Sequence, residues 1–165
     1  MALTKIFSGG EAGVDRAALD AALALGFPCG GWLPEDCKAE DGIVPDRYPL
    51  TPLPNANHRQ RTLKNVHDSD GTLIAFNQAL TGGSKVTRDL CIREKKPFIV
   101  LDAAQITVER SVSSVLRFID ENEIGVLNVA GPRASKWAEG YGFALSVVRG
   151  IIEHAQRHRT SGGGI

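Results

Sequence analysis

The run Leu3-Thr4-Lys5-Ile6-Phe7-Ser8-Gly9-Gly10-Glu11-Ala12-Gly13-Val14-Asp15-Arg16-Ala17-Ala18 changes its period in the middle. As far as Ser8 it is a short apolar stretch of strand length. Beyond Gly13, the residues Val14, Ala17, Ala18, Ala21 and Leu25 recur at spacings of three and four, the apolar stripe of a helix. Gly26 then supplies a helix stop. A strand that passes through a glycine turn into a helix is the opening of a βαβ unit.

The same alternation repeats outward from this stretch. Pro28–Leu33 reads as a weaker second strand and Asn57–Asp68 as a helix. Thr72–Phe76 is a third strand, followed by Thr81-Gly82-Gly83 and a helix through Val86, Leu90 and Cys91 that stops before Pro97. Phe98–Leu101 is a fourth strand. Thr107 caps a helix carrying Val108, Val112, Val115, Leu116 and Ile119. Val126–Ala130 is a fifth strand, and Gly131-Pro132-Arg133 is expected to open a last helix burying Tyr141, Leu145, Val148, Ile152 and Ala155. Strands alternating with helices predict an α/β fold, a Rossmann-like open parallel sheet of about five strands with helices on both faces. We expect one ligand-binding domain over residues 1–158 and a flexible Gly-rich tail over 159–165.

Residues 34–56 stand apart. Pro34, Pro45, Pro49, Pro52 and Pro54 exclude regular structure over most of this length, which marks a candidate cover or oligomer contact.

Composition narrows the function classes. The 165 residues hold 19 Lys+Arg against 19 Asp+Glu, so the net charge is zero and the basic footprint of a nucleic-acid binder is missing. No apolar run approaches the ~20 residues of a membrane span. Three cysteines without a C-x-x-C fit a reducing compartment, and the expectation is a soluble cytoplasmic protein. Glycine is in excess at 18 residues, and it is concentrated where chemistry is expected.

Three strand-to-helix junctions carry it: Ser8-Gly9-Gly10-Glu11-Ala12-Gly13, Thr81-Gly82-Gly83-Ser84 and Gly131-Pro132-Arg133. Glycine lets the backbone approach a ligand closely, and helix-start N–H groups favour a phosphate or another oxyanion. In open α/β sheets ligands bind at the carboxyl ends of the strands, where these junctions lie. The expected anion contacts are Ser8, Gly9, Gly10, Gly13, Arg61, Thr81, Gly82, Gly83, Ser84, Gly131, Pro132 and Arg133, with Pro132 offering no N–H. Arg61 offers fork geometry for phosphate oxygens, or is equally a surface helix arginine paired with Asp68 or another acid. Arg133, at a predicted helix N-terminus where a cation is unfavourable, is a better anion ligand than Lys85.

Competing readings concern the remaining reactive side chains. Asp15 and Arg16 fall in the first turn of a helix, where Asp15 suits capping the helix or ordering the loop better than acting as an acid. Asp68 and Asp70 suit a strand-entry turn better than acid–base work. His154 and His158 share a helix face without a third metal ligand. Cys29 and Cys91 read as core thiols, and Cys37 as the exposed one. Trp32 and Trp137 read as packing or rim residues first and ring-stacking residues second.

The succession Ser8–Ala18, Ala39-Glu40-Asp41-Gly42, Ile43–Leu50, Arg61-Thr62, Asp68–Leu73, Leu80-Thr81-Gly82-Gly83 and Leu127–Arg133 resembles the molybdenum carrier protein family, whose relatives bind the molybdenum cofactor. That family is similar to a circular permutation of the lysine-decarboxylase-like, SLOG-type phosphoribohydrolases, with Val126–Ile152 standing for their first strand and helix. Their sheet order, carried over, would read second–first–fifth–third–fourth strand here and bring all three glycine junctions to one crevice. By the same resemblance Arg61 stands for the enzymes' arginine and Thr81-Gly82-Gly83 for their Pro-Gly-Gly. Lys85-Val86 replaces their Gly-Thr, and Asp89 their glutamate. The resemblance implies a kept crevice, no catalytic residue, and molybdenum cofactor (molybdopterin) as cargo, or a phosphate, molybdate or nucleotide in its place. It leaves two alternatives: a nucleoside-monophosphate hydrolase using Arg61 and Asp89, or a nucleotide-sensing module. The expected partners are the anionic ligand and copies of the same chain, as a dimer or tetramer.

Overall fold

Strand β1 (Lys5–Ser8) runs through residues 9–13 into helix α1 (Val14–Ala24), as the change of period predicts. The computed structural model describes residues 2–161, with the backbone alone for Thr160 and Ser161. After α1 come β2 (Cys29–Gly30), β3 (Trp32–Leu33), β4 (Lys38–Ala39), β5 (Gly42–Ile43) and β6 (Thr51–Pro52). The chain continues through α2 (His58–Asp68), β7 (Gly71–Phe76), α3 (Gly82–Arg93), β8 (Phe98–Asp102), α4 (Val108–Glu121), β9 (Val126–Ala130) and α5 (Gly140–Ser161). Helix starts are locally encoded. Asn57 Oδ1 accepts from Gln60 N–H while Gln60 Oε1 accepts from Asn57 N–H, a reciprocal cap on α2. Thr107 Oγ1 accepts from Arg110 N–H at the start of α4.

The main sheet has the order β2-β1-β9-β7-β8, every pair parallel. This is the order that the permuted resemblance implies. From β1 the chain moves outward to β2, and from β7 outward to β8 on the other side. The last strand, β9, fills the centre, with Ser8 beside Val129 and Ile74 beside Ala130. The loops after β1, β9 and β7 therefore leave neighbouring strands while their helices diverge, which opens a crevice.

Side-chain alternation along the strands divides the interior. Leu73 and Ala75 of β7 join Ile6, Leu127 and Val129 under α1, α4 and α5 in the principal core. Thr72 and Ile74 face the other way, where α2 and α3 pack together.

Three expectations need correction. Residues 131–139 are not helical, and the last helix begins only at Gly140. A bridge between Gly13 and Arg133 holds this stretch, and Trp137 is 7% exposed with its ring packed on Phe143 before the helix starts. Tyr141 is on the outer side of α5 at 38% exposure, its hydroxyl donating to Asp20 Oδ2 at 2.6 Å. Residues 34–56 are not structureless either. The prolines leave room for two-residue strands: β3 pairs with β6, and β4 with β5 as a hairpin. Leu33, Val44 and Tyr48 bury themselves with Leu19 of α1 in a second, small cluster. The expected Gly-rich tail over 159–165 starts within α5, and residues 162–165 lie outside the described residues.

Candidate functional site

The crevice at the carboxyl ends of β1, β9 and β7 is a cleft of about 690 Å³, a size that suits a nucleotide-like molecule more than a bare oxyanion. Each of the three glycine junctions contributes to its wall. They do so in different ways.

The α3 side is built of open donors. Thr81 takes the N-cap position with no side-chain hydrogen bond to the helix. A methyl group added at Gly82 or Gly83 would meet nothing within 4 Å. Gly82 has φ 55, the left-handed region that favours glycine. Ser84 is 3% exposed and lines the cleft, yet its Oγ has no hydrogen-bond partner, alone among the buried side-chain N and O atoms of the described residues. A buried hydroxyl without a partner costs stability. Beside free first-turn N–H groups and the positive end of a helix, it suits an oxyanion.

The floor holds a buried cation and a buried acid. Arg61 is 7% exposed, donates through Nη1 to the Gly9 carbonyl and sets Nη2 3.4 Å from His58 Nδ1. Burial pushes the Asp15 carboxyl up to about 6, against the Arg61 charge and the amides of Glu11 and Gly131, which favour the ionised form. Asp15 thus orders the loop, as read from its position in α1.

The opposite wall is protein packed on protein. Ser8 is fully buried and its Oγ donates to the Val129 carbonyl at 2.9 Å, so it ties β1 to β9 and lies outside the cleft lining. Gly10 is also outside, its carbonyl accepting from Arg16 Nε and Nη2 at 3.3 and 3.1 Å. Gly13, with φ 115, lies outside as well. A methyl group there would meet Ala134 N at 2.8 Å and Pro132 O at 2.9 Å, and one at Gly131 would meet Val14 Cγ2 at 2.6 Å. Gly9, Gly131, Pro132 and Arg133 do line the cleft. Arg133 is not at a helix N-terminus. Its Nε is 3.5 Å from Glu40 Oε2, in the hairpin of the Pro-rich segment.

Residues that the sequence reading passed over complete the wall. His58, Thr62 and Asn65 follow Arg61's face of α2 at helical spacing, a pattern that was available once Arg61 had been singled out. Arg59 and Lys136 add cations, and Asn128 adds a buried amide whose Nδ2 donates to Thr72 Oγ1 at 3.3 Å. Asn128 sits in an apolar strand and gave no local signal.

Other candidates fall elsewhere. Asp89 is exposed on α3, paired with Arg88 at 3.0 Å and outside the cleft lining, and Lys85 is outside it too. Asp70 accepts from the amides of Gly125 and Val126 at 3.0 and 2.8 Å, a strand-entry role, and Asp68 accepts from Trp32 Nε1 at 2.9 Å. Cys91 is buried, with its thiol pushed up by burial, and both Cys29 and Cys37 are half-buried beside the small cluster. His154 and His158 stack at 4.0 Å on α5. Among the described residues no group of three or more His, Cys, Asp and Glu gathers to hold a metal, and no helix is long and apolar enough to cross a membrane.

The family model described as "Circularly permutated YpsA SLOG family" matches residues 6–152. Among solved structures the chain is similar to a "putative molybdenum carrier protein" from Syntrophus aciditrophicus SB, at 42% sequence identity and a TM-score of 0.89, covering 92% of this chain and 96% of that one. No curated protein matches. The chain belongs to the circularly permuted YpsA SLOG family.

Proposed function

We propose that this circularly permuted SLOG chain is a carrier whose cleft binds a phosphate-bearing organic anion, with molybdenum cofactor as the cargo. The observation that carries this reading is the unpartnered Ser84 hydroxyl in the cleft wall, beside the open N-terminus of α3. A phosphate there would accept from Ser84 Oγ and from first-turn amides of α3, and Thr81 stands at the same edge. Arg61, Arg59, Lys136 and Arg133 give the cleft a cationic rim and floor although the chain is neutral overall. The remaining volume accommodates a ring system of pterin or nucleoside size. Similarity to a protein described as a molybdenum carrier supports the choice of cargo among such anions.

The hydrolase alternative needs a carboxylate at the glycosidic bond. Asp89 lies outside the cleft lining, Asp15 is held in the floor by amides and Arg61, and the Glu11 carboxylate in the lining is engaged by the amides of Ala12 and Glu40. The carrier is further proposed to work in the cytoplasm as a homo-oligomer. Extraction of purified protein, with molybdenum measured by mass spectrometry and pterin by fluorescence, tests the reading. Both are expected in equal amounts. A nucleotide recovered without molybdenum contradicts the cargo, and release of free base from nucleoside monophosphates contradicts a carrier without catalysis.

A further inference from the structure

The hairpin formed by β4 and β5 reaches across to the cleft and places the Glu40 carboxylate against the 131–136 loop. Glu40 Oε2 accepts from Ser135 Oγ at 2.6 Å and lies 3.5 Å from Arg133 Nε, while Oε1 accepts from Ser135 N–H at 2.9 Å. An amide, a hydroxyl and a guanidinium converge on one carboxylate. That donor set is the kind that binds a phosphoryl or carboxylate group, and Arg133 belongs to the cleft wall. We propose that Arg133 and Ser135 form a second oxyanion site of the cleft, which Glu40 fills as a tethered carboxylate until an anionic ligand displaces it and frees the 38–43 hairpin. The proposal rests on the reading of the cleft as an anion-binding site.

The hairpin is built to let go. Outside the Glu40 carboxylate contacts it is tied by Glu40 N–H to Glu11 Oε1 at 2.8 Å and by Asp41, which accepts from Arg16 Nη1 and Nη2 at 2.6 and 3.0 Å. Val44 N–H to the Cys37 carbonyl, at 2.9 Å, closes its base. Ile43 is 63% exposed, so the tip contributes no large apolar contact, whereas Val44 and Tyr48 below it are anchored in the small cluster. Detaching residues 38–43 therefore uncovers, of the small cluster, only the contact of the half-buried Ala39 methyl group. The exchange favours a dianionic phosphate over Glu40, because it brings more charge and more acceptor oxygens to the same donors. Glu11 lines the cleft and accepts from both Ala12 N–H and Glu40 N–H, so a ligand pressing on that loop also reaches the hairpin's second tie.

The latch predicts that Glu40→Gln, which keeps the shape and removes the competing charge, binds inorganic pyrophosphate more tightly than the unchanged protein. The expected gain is roughly three- to tenfold, the reciprocal of the fraction left unlatched. Amide hydrogen exchange at Glu40, whose N–H is tied to Glu11, should accelerate in the unchanged protein when pyrophosphate is added, while the Ser135 amide, passed from Glu40 to the phosphate, stays protected. In an Arg133→Ala background the effect of Glu40→Gln on affinity should vanish. Equal pyrophosphate affinity in the Glu40→Gln and unchanged proteins, with the Glu40 amide still protected in the complex, overturns the latch and leaves the cleft reading standing. Absence of pyrophosphate binding in both proteins overturns the cleft reading and the latch with it.

Discussion

Glycines that look alike at the strand-to-helix junctions of the sequence do opposite work. Around α3, Gly82 and Gly83 face open space, and the neighbouring Ser84 hydroxyl has nothing to bond. Across the cleft, Gly13 and Gly131 are glycine because Ala134, Pro132 and Val14 press on them. One junction has donors left over for a ligand. The other two have committed their backbones to holding each other together. The lesson is that glycine at a strand-to-helix turn marks close approach, and only the third dimension says whether the visitor is a ligand or the protein itself.

The largest effect should come from the packed side. Gly13→Ala places a methyl group on backbone atoms at a φ of 115, a strain of upwards of about 3 kcal/mol, a large share of a domain's stability. Urea unfolding should show a strongly lowered midpoint. A variant as stable as the parent would show that the loops are not locked at this point.

Next in size is the acid between those loops. Asp15 has its folded value raised from 3.8 to about 6, so the folded protein holds this proton longer than the unfolded chain. Its contribution is therefore fully present below about pH 4 and is lost as pH rises through about 6. The size is on the order of 3 kcal/mol at ~1.4 kcal/mol per unit. The stability difference between the unchanged protein and Asp15→Asn should move in favour of the unchanged protein as pH falls from 7 to 4. A difference that stays flat over this window would mean that Asp15 is solvated rather than clamped by the two loops.

The open side should respond in binding rather than in folding. Ser84→Ala removes an unpartnered buried hydroxyl, so the unfolding midpoint should hold or rise slightly. Pyrophosphate affinity, measured by calorimetry, should drop about ten- to a hundredfold, the worth of one hydrogen bond to a charged group. Lost stability with unchanged affinity would place Ser84 on the structural side of the comparison. Smallest of all, Gly83→Ala meets no atom and sits inside a helix, so it should raise stability by up to about 1 kcal/mol. A destabilised variant would mean that this turn of α3 is crowded.

The fold was largely legible because periodicity and caps are local. The change at Gly13, the cap at Asn57 and the cap at Thr107 each act within one turn of chain. The central position of β9 is not local, and it came from the permuted resemblance rather than from any spacing. The last helix was misread because Gly131-Pro132-Arg133 satisfies the local pattern of a helix start, while a bridge to Gly13, some 120 residues away in sequence, decides against it. The Pro-rich segment hid its short strands for the same reason: each is two residues long and exists only through its partner. At the site, Arg61 and the three junctions were readable as residue types. Ser8 was not separable from Ser84, because two hydroxyls beside glycine differ only in whether a carbonyl such as that of Val129 is within reach.

Pyrophosphate titration of ¹⁵N-labelled protein, followed amide by amide, tests the division most directly. If the cleft binds anions through the open start of α3, the largest shifts fall on Gly82, Gly83 and Ser84, while Gly10 and Gly13 stay nearly still. Shifts confined to Gly10 and Gly13, or none at Gly82–Ser84 at saturation, would contradict the account.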